Sequence, residues 1–330
     1  MMDLTTNYLG LQLKNPIVVG SSSLTSSVSE IKKLEKHGAA AVVLKSIFEE
    51  EIINDAENQL REARENKFIY EQYSETLDYI DLHVKEERLN DYIQLIKQAK
   101  KEVLIPVIAS VNCISSGEWT GFSKRIEEAG ADALELNISL NPTDTEVRDF
   151  ELTIKEIIRK VLEQVRIPVA VKLNNAYTHM ARTLLDLSKT GIAGMVLFNR
   201  PYVPDIDINT FEAVQGRSFS SPDAYVESMR WIALMSERIN CSLSASSGVH
   251  SSEALIKQIL AGADSVQLVS VVYEKGVAYM QEMLSGLEKW MEEKGFASLE
   301  QFKGKASSKN VGNPAVFERI QFMKHFAGIN

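Results

Sequence analysis

The chain has 330 residues, 45% hydrophobic and 25% charged, a balance that supports a sizeable packed core and excludes a largely disordered polymer. A formal net charge of -9 argues against a general nucleic-acid surface or an anionic membrane partner, both of which need clustered Lys and Arg. Cys113 and Cys241 are too few for a disulfide framework, and the N-terminus lacks the basic and apolar blocks of a signal peptide, so a cytoplasmic protein is expected.

Leu4 to Leu13 alternates apolar positions about Gly10, the pattern of a hairpin suited to plugging the bottom of a barrel. Asn15 to Gly20 reads as the first buried strand, Ser21 to Ser27 as a small-residue loop, and residues 28–37 as a helix presenting Ile31 and Leu34. The second strand ends at Lys45. Residues 46–87 then form a long insertion, with a charged helical piece at 56–65 and Tyr70, Tyr73 and Tyr79. Its aromatic content favours an ordered active-site lid over a solvated linker.

A helix over 89–100 leads to the third strand, Ile105 to Asn112, and the fifth, Ile167 to Asn174, is nearly its copy. Between them lie a helix over 117–129, the fourth strand ending at Asn137, and a helix over 146–165. A helix over 180–190 precedes the sixth strand, which ends at Asn199. A second insertion, 200–222, contains the alternating stretch Tyr202 to Ile208, expected as a short strand over the barrel mouth. A helix over 223–240, the seventh strand (242–245), a helix over 251–261, the eighth strand (265–268) and a helix over 277–294 follow. Residues 296–330 form a tail with an amphipathic helix from Pro314 to Phe326, packed on the barrel or on a second subunit.

Eight β/α units with continuously apolar strands indicate an α/β fold, a (β/α)8 TIM barrel occupying residues 1–295. No Gly-x-Gly-x-x-Gly follows any strand, which disfavours an open dinucleotide-binding sheet. In such barrels the active face lies at the C-terminal strand ends. That places Ser21, Ser22, Lys45, Asn112, Cys113, Asn137, Lys172, Asn199, Ser247, Gly248 and Ser270 on one face, and four of the strand-end side chains, Lys45, Asn137, Asn199 and Ser270, are expected to converge. Cys241 starts a strand and reads as a structural thiol.

Lys45 and Lys172 interrupt apolar strands, where an unpaired ammonium is costly, so each should face an anion, hydrogen-bond acceptors or a nearby acid. The turn Ser246-Ser247-Gly248-Val249-His250 offers free amides at a helix start, suited either to a phosphate or to an ordinary cap at Ser251, with His250 structural. None of the five histidines has metal-ligand spacing, so no metal is expected. The residues alone point to a phosphate-bearing ligand, amide hydrogen bonding from asparagines, and lysines stabilising negative charge.

Several segments in the right order resemble the dihydroorotate dehydrogenases, FMN-dependent barrels related to the flavin domain of dihydropyrimidine dehydrogenase. They are LGLQLKNPI from Leu9, AGADALELNIS from Ala129, VAVKL from Val169, SSGVH from Ser246, LAGADSVQ from Leu260 and GFASLEQFKG from Gly295. The resemblance implies FMN against Gly20, Ser21 and Ser22, with Lys172 near the ring's polar edge, and with Asn112 and Asn137 bonding ring or substrate. Ser247, Gly248 and Ser270 would hold the phosphate. Lys45 looks like the family lysine that faces both flavin and substrate carboxylate, and Asn137 and Asn199 resemble the residues that bind the pyrimidine. The implied reaction is hydride transfer from C6 of dihydroorotate to flavin N5 while a base removes the C5 proton, giving orotate.

The sequence departs from the family in three places. Where the family has Asn-x-Ser-Cys-Pro-Asn, or Ser for Cys, this chain has Leu140 at the base position, and leucine takes no proton. Cys113 and Ser139 are the substitutes on offer. The family's substrate segment after strand two is replaced by the acidic, Tyr-rich insertion, and Arg200 stands where a small hydroxyl residue is usual. The expectation is a soluble FMN oxidoreductase, a homodimer, acting on a pyrimidine-like carboxylate with an electron acceptor the sequence does not name. Retained flavin with another cyclic substrate, selected by Arg200 and the lid, is the second reading, and a non-catalytic flavin-binding barrel the third.

Overall fold

The apolar runs pair side by side in a computed structural model that describes residues 2–48, 74–113, 119–138, 149–200 and 204–318. The barrel strands are β3 (Ile17–Val19), β4 (Ala41–Val43) with its short continuation β5 (Ile47–Phe48), β6 (Val107–Cys113) and β7 (Ala133–Ile138). They continue with β8 (Val169–Leu173), β9 (Gly194–Leu197), β12 (Ser242–Ser246) and β13 (Ser265–Leu268). Every neighbouring pair is parallel, and β4 against β6 closes the ring, giving the eight-stranded barrel expected from the repeat.

The helices around it are α1 (Val28–Lys36), α2 (Ser74–Glu102), α3 (Trp119–Glu128), α4 (Phe150–Leu162), α5 (Met180–Leu187), α6 (Tyr225–Met235), α7 (Ser252–Ala261), α8 (Ser270–Lys275) and α9 (Tyr279–Lys294). Local chemistry starts several of them: Ser27, Asp149 and Ser251 each accept a backbone N–H from the first turn. Outward strand residues such as Val19, Val42, Leu134 and Val171 share one buried cluster with the helix residues Ile31, Leu34, Ile96 and Ile158.

A separate inner cluster joins Val18, Ala41, Ile108, Ala133 and Ala170 to Tyr8, Leu9 and Leu13 of the hairpin β1 (Thr6–Tyr8) and β2 (Leu11–Leu13). The hairpin plugs the barrel floor as its alternation predicts, pinned by Thr6 Oγ1 donating to the Asp264 carbonyl at 2.8 Å. Gly194 makes room for it, since a Cβ there would lie 2.4 Å from Leu9 Cδ2.

Three expectations need correction, and one is extended. The second strand does not run to Lys45: β4 stops at Val43, and the chain bulges over residues 44–46 before β5 re-pairs with β6. The helix expected over 89–100 is longer, since α2 already begins at Ser74 within the first insertion; residues 49–73 lie outside the described residues. The short strand expected within Tyr202 to Ile208 is present as β10 (Pro204–Ile206), and it pairs with an unforeseen partner, β11 (Ala213–Gln215), in an exposed hairpin. Ser270 opens α8 rather than ending a strand, a short helix that the sequence reading lacked.

The tail packs on the barrel. Phe302 is fully buried against Trp290, with ring centroids 5.0 Å apart, and Arg230 Nε donates to the Phe317 carbonyl at 2.6 Å. The expected tail helix is seen as α10 (Ala315–Glu318), and its continuation to Phe326 lies outside the described residues. No described helix is long and apolar enough to cross a membrane.

Candidate active site

Above the apolar plug the barrel interior turns polar, and the turn follows the two-residue period of the strands. In register, Asn112 of β6 pairs with Asn137 of β7, and Asn137 with Lys172 of β8. Partners in register share a face. Lys172 faces inward, because its Nζ crosses the barrel to donate to Gln267 Oε1 of β13 at 2.8 Å. The three side chains therefore form one row on the inner wall. Asn199, just past β9, joins them by donating its amide to Asn137 Oδ1 at 2.9 Å.

One layer below lies Glu135, 1% exposed. Gln267 Nε2 donates to its Oε2 at 2.6 Å, and Lys172 Nζ stands 3.7 Å from its Oε1, an oxygen with no hydrogen-bond partner. Of the partners open to Lys172, a hydrogen-bond acceptor, Gln267, and a nearby acid, Glu135, are both present. Tyr8, fully buried at the barrel floor, has its phenol pKa pushed well up by burial first and by the Glu135 charge second.

Lys45 occupies the bulge after β4, half-buried and without an ion pair among the described residues. The bulge would strand the backbone groups of Ser110 on β6, and Tyr92 of α2 takes them over. Its hydroxyl accepts the Ser110 N–H at 2.8 Å and donates to the Ser110 carbonyl at 3.1 Å. A hydroxyl chain then runs from Ser110 to Ser46 (2.8 Å) and from Ser46 to Ser21 (3.0 Å), fixing the loop after β3. Ser22 is held by donating to the Gly20 carbonyl at 3.2 Å. At Gly20 a Cβ would lie 3.0 Å from Val269 Cγ2, so the backbone of that loop lies close against the end of β13.

The turn after β12 carries two left-handed residues, Ser247 (φ 75°) and Gly248 (φ 74°). A Cβ at Gly248 would sit 2.1 Å from the Tyr225 backbone nitrogen, so only glycine fits. Here a cavity of about 220 Å³ runs from Lys172, Asn199 and Arg200 to Ser247, Gly248 and Ser270, and among the described residues no Asp or Glu lines it. A second, of about 370 Å³, shares Asn199, Arg200 and Ser247 with it and reaches Arg217. Arg200 donates to the Arg217 carbonyl, while its Nη1 is buried without a partner. Burial, followed by the neighbouring Arg217 charge, depresses the Arg200 pKa. A cation-lined, carboxylate-free cavity with a glycine cradle and an orphaned guanidinium nitrogen is chemically matched to an anion such as the phosphate of FMN.

The fourfold convergence expected of Lys45, Asn137, Asn199 and Ser270 is realised as a direct contact only for the two asparagines. Ser270 stands at the phosphate-like end, where its Oγ accepts the Ser220 N–H at 3.0 Å. Ser139 and Leu140 lie outside the described residues, as does the Cys113 side chain. Cys241 is half-buried, its thiol pushed up to about 12 by burial and then by the Asp264 charge.

Sequence reasoning missed Glu135, Gln267, Ser220 and Tyr92. The first two carried a signal: each sits on the inward period of its strand, Glu135 two residues before Asn137. Tyr92 and Ser220 had none, since their partners are 18 and 28 or more residues away in sequence.

A profile of the dihydroorotate dehydrogenase family matches residues 3–291. The chain is 27% identical over 313 residues to a Thermoplasma volcanium protein named dihydroorotate dehydrogenase B (NAD(+)), catalytic subunit, covering 93% of this chain and 99% of that one. It is 24% identical over 310 residues to an Aeropyrum pernix protein named putative dihydroorotate dehydrogenase A (fumarate), covering 92% and 97%. With the profile spanning most of the barrel that carries this site, the chain belongs to the dihydroorotate dehydrogenase family.

Proposed function

We propose that the chain is an FMN-dependent dehydrogenase acting on the CH–CH bond of a small cyclic, pyrimidine-like carboxylate, with dihydroorotate the first substrate to test. The observation that carries this reading is the cation-lined, acid-free cavity that starts beside the row Asn112, Asn137, Lys172 and ends at the Gly248 cradle. Bound FMN would supply the two-electron acceptor that no side chain provides.

The chain's own residues then divide the work. Ser247, Gly248 and Ser270 hold the phosphate, and Gly20, Ser21 and Ser22 form the floor on which the ring rests. Lys172, fixed by Gln267 and Glu135, presents its ammonium from the inner wall. The hydrogen-bonded pair Asn137 and Asn199 leaves amide donors and acceptors for an imide-like substrate edge. Lys45, without a partner among the described residues, supplies positive charge for a substrate carboxylate or a reduced ring. Arg200, with Nη1 unpartnered, supplies a second anion contact. Proton removal falls to Cys113 or Ser139, since Leu140 has no acid–base chemistry.

A second reading rests on Arg200, which brings a guanidinium beside Arg217 at the edge of the site. It keeps the flavin but assigns a ring substrate with a larger or second anionic group. Anaerobic mixing of the FMN-loaded protein with dihydroorotate separates the two: loss of flavin absorbance near ~450 nm supports the first reading. Persistence supports the second. Unchanged flavin reduction in Cys113→Ala would remove Cys113 as the base. The relatives' names offer NAD(+) and fumarate as the electron acceptors to test on the reduced protein.

A further inference from the structure

Beside the Gly248 cradle, three side chains from separate segments form a hydrogen-bonded relay, buried at His250 and Ser220 and reaching the surface at Glu274. His250 Nδ1 stands 3.1 Å from Glu274 Oε2 of α8, and His250 Nε2 stands 3.0 Å from Ser220 Oγ at the end of the second insertion. Ser220 is in turn bound into the cradle. Its Oγ accepts the Gly248 N–H at 3.2 Å, and its own N–H donates to Ser270 Oγ at 3.0 Å. His250 and Ser220 are each 6% exposed, and both line the acid-free cavity.

Hydrogen counting fixes the direction of these bonds. An ionised carboxylate only accepts, so the Nδ1 facing Glu274 carries the hydrogen. In the neutral ring Nε2 is then a lone pair, and the Ser220 hydroxyl donates to it. Protonation makes Nε2–H a donor, so Ser220 Oγ accepts from both His250 and Gly248. Its own hydrogen must find another acceptor, and the cavity it lines with Ser247 and Ser270 is where an anion would provide one.

We propose that His250, oriented by Glu274, is a positioning residue for the phosphate cradle: its protonation turns the Ser220 hydroxyl toward the cavity, so that a phosphate monoester and a proton bind together. This rests on the flavin reading above and adds to it a proton linkage and the residues that carry it.

The charges around His250 set the range. Burial holds its pKa below 6.5, the Glu274 charge opposes that shift, and Lys275 and Arg217 reinforce it. Lys275 and the Tyr279 hydroxyl also contact the His250 carbonyl. On the far side, Asp223, Glu253 and Lys257 line a neighbouring cavity with His250, and Lys257 is paired with Glu253 at 2.6 Å. Without ligand the neutral ring is therefore favoured more than in an ordinary histidine. A bound phosphate adds negative charge and a hydroxyl acceptor, both of which raise the imidazole pKa. By reciprocity, affinity is greatest below the ligand-free pKa and falls as pH rises through the ligand-bound one, by about tenfold for each unit the two differ.

The test is equilibrium binding of FMN, and of riboflavin as the phosphate-free control, to the flavin-free full chain from about pH 5 to 8. Wild type, His250→Gln and Glu274→Gln are compared. The phosphate's own ionisation, near pH ~6, is common to all three proteins and cancels in the ratio to His250→Gln. The expected result is a wild-type to His250→Gln affinity ratio for FMN that falls by about tenfold across the range, with riboflavin flat. In Glu274→Gln the fall moves to lower pH, which keeps the test available if His250→Gln does not fold. Identical FMN profiles in wild type and the folded variants overturn the relay alone. Failure of every protein to bind FMN at any pH overturns the flavin reading and the relay with it.

Discussion

Replacing Lys172 with Met should remove the positive charge that faces Glu135 among the described residues while keeping most of the side-chain volume. The two groups are 8% and 1% exposed and 3.7 Å apart, and Glu135 Oε1 has no hydrogen bond to fall back on. At an effective dielectric of about 20, the lost attraction is roughly 4–5 kcal/mol. Measured losses on breaking one side of a buried pair are about 3–5 kcal/mol. The prediction for Lys172→Met is therefore a loss of about 3–5 kcal/mol. It should be read from the urea midpoint of the flavin-free chain by tryptophan fluorescence and far-ultraviolet circular dichroism. Adding Glu135→Gln keeps an acceptor for Gln267 Nε2 and removes the orphaned charge, so the double variant should regain all but about 1–2 kcal/mol. Burial also predicts little dependence of the loss on salt. A single-variant loss under about 1 kcal/mol, or a double variant no more stable than the single, would refute the pairing.

Tyr92→Phe leaves the Ser110 N–H and carbonyl without their partner, and a loss of about 1–3 kcal/mol is expected in the same urea assay. Gly248→Ala drives a Cβ into the Tyr225 backbone nitrogen, so it should lower the melting temperature and abolish FMN retention after gel filtration. With its thiol pushed up to about 12, Cys241 is almost wholly protonated near neutral pH. A thiol reagent should label it in the native protein only as pH rises toward that value, and readily after denaturation at pH 8.

The barrel was legible in the sequence because its signal is local and repeated. The apolar strands β3, β7 and β13 each stand beside their own turn and helix, and Gly10 announced the plug hairpin. The polar row on the inner wall was legible for the same reason, as Asn112, Asn137 and Lys172 end or nearly end buried strands. Hidden features are those made by distant parts of the chain. The bulge at Lys45 exists because Tyr92 satisfies the backbone of Ser110, and nothing in residues 41–48 reveals that. Lys172 reads in sequence as a cation needing a partner, but which partners it has, Gln267 and Glu135 at 95 and 37 positions away, is set by distant strands. His250 read as structural, and its contacts with Ser220 and Glu274, 30 and 24 positions away, tie the second insertion to the cradle.

The central claim, an FMN-dependent dehydrogenase of a dihydroorotate-like ring, is tested most directly by one anaerobic experiment. The purified chain is loaded with FMN, freed of excess cofactor and mixed with dihydroorotate while the flavin band near ~450 nm is followed. The account predicts retained flavin that bleaches on mixing and recovers when an electron acceptor is added. A chain that holds no FMN, or one whose flavin stays oxidised with dihydroorotate and with every related cyclic carboxylate, would contradict it.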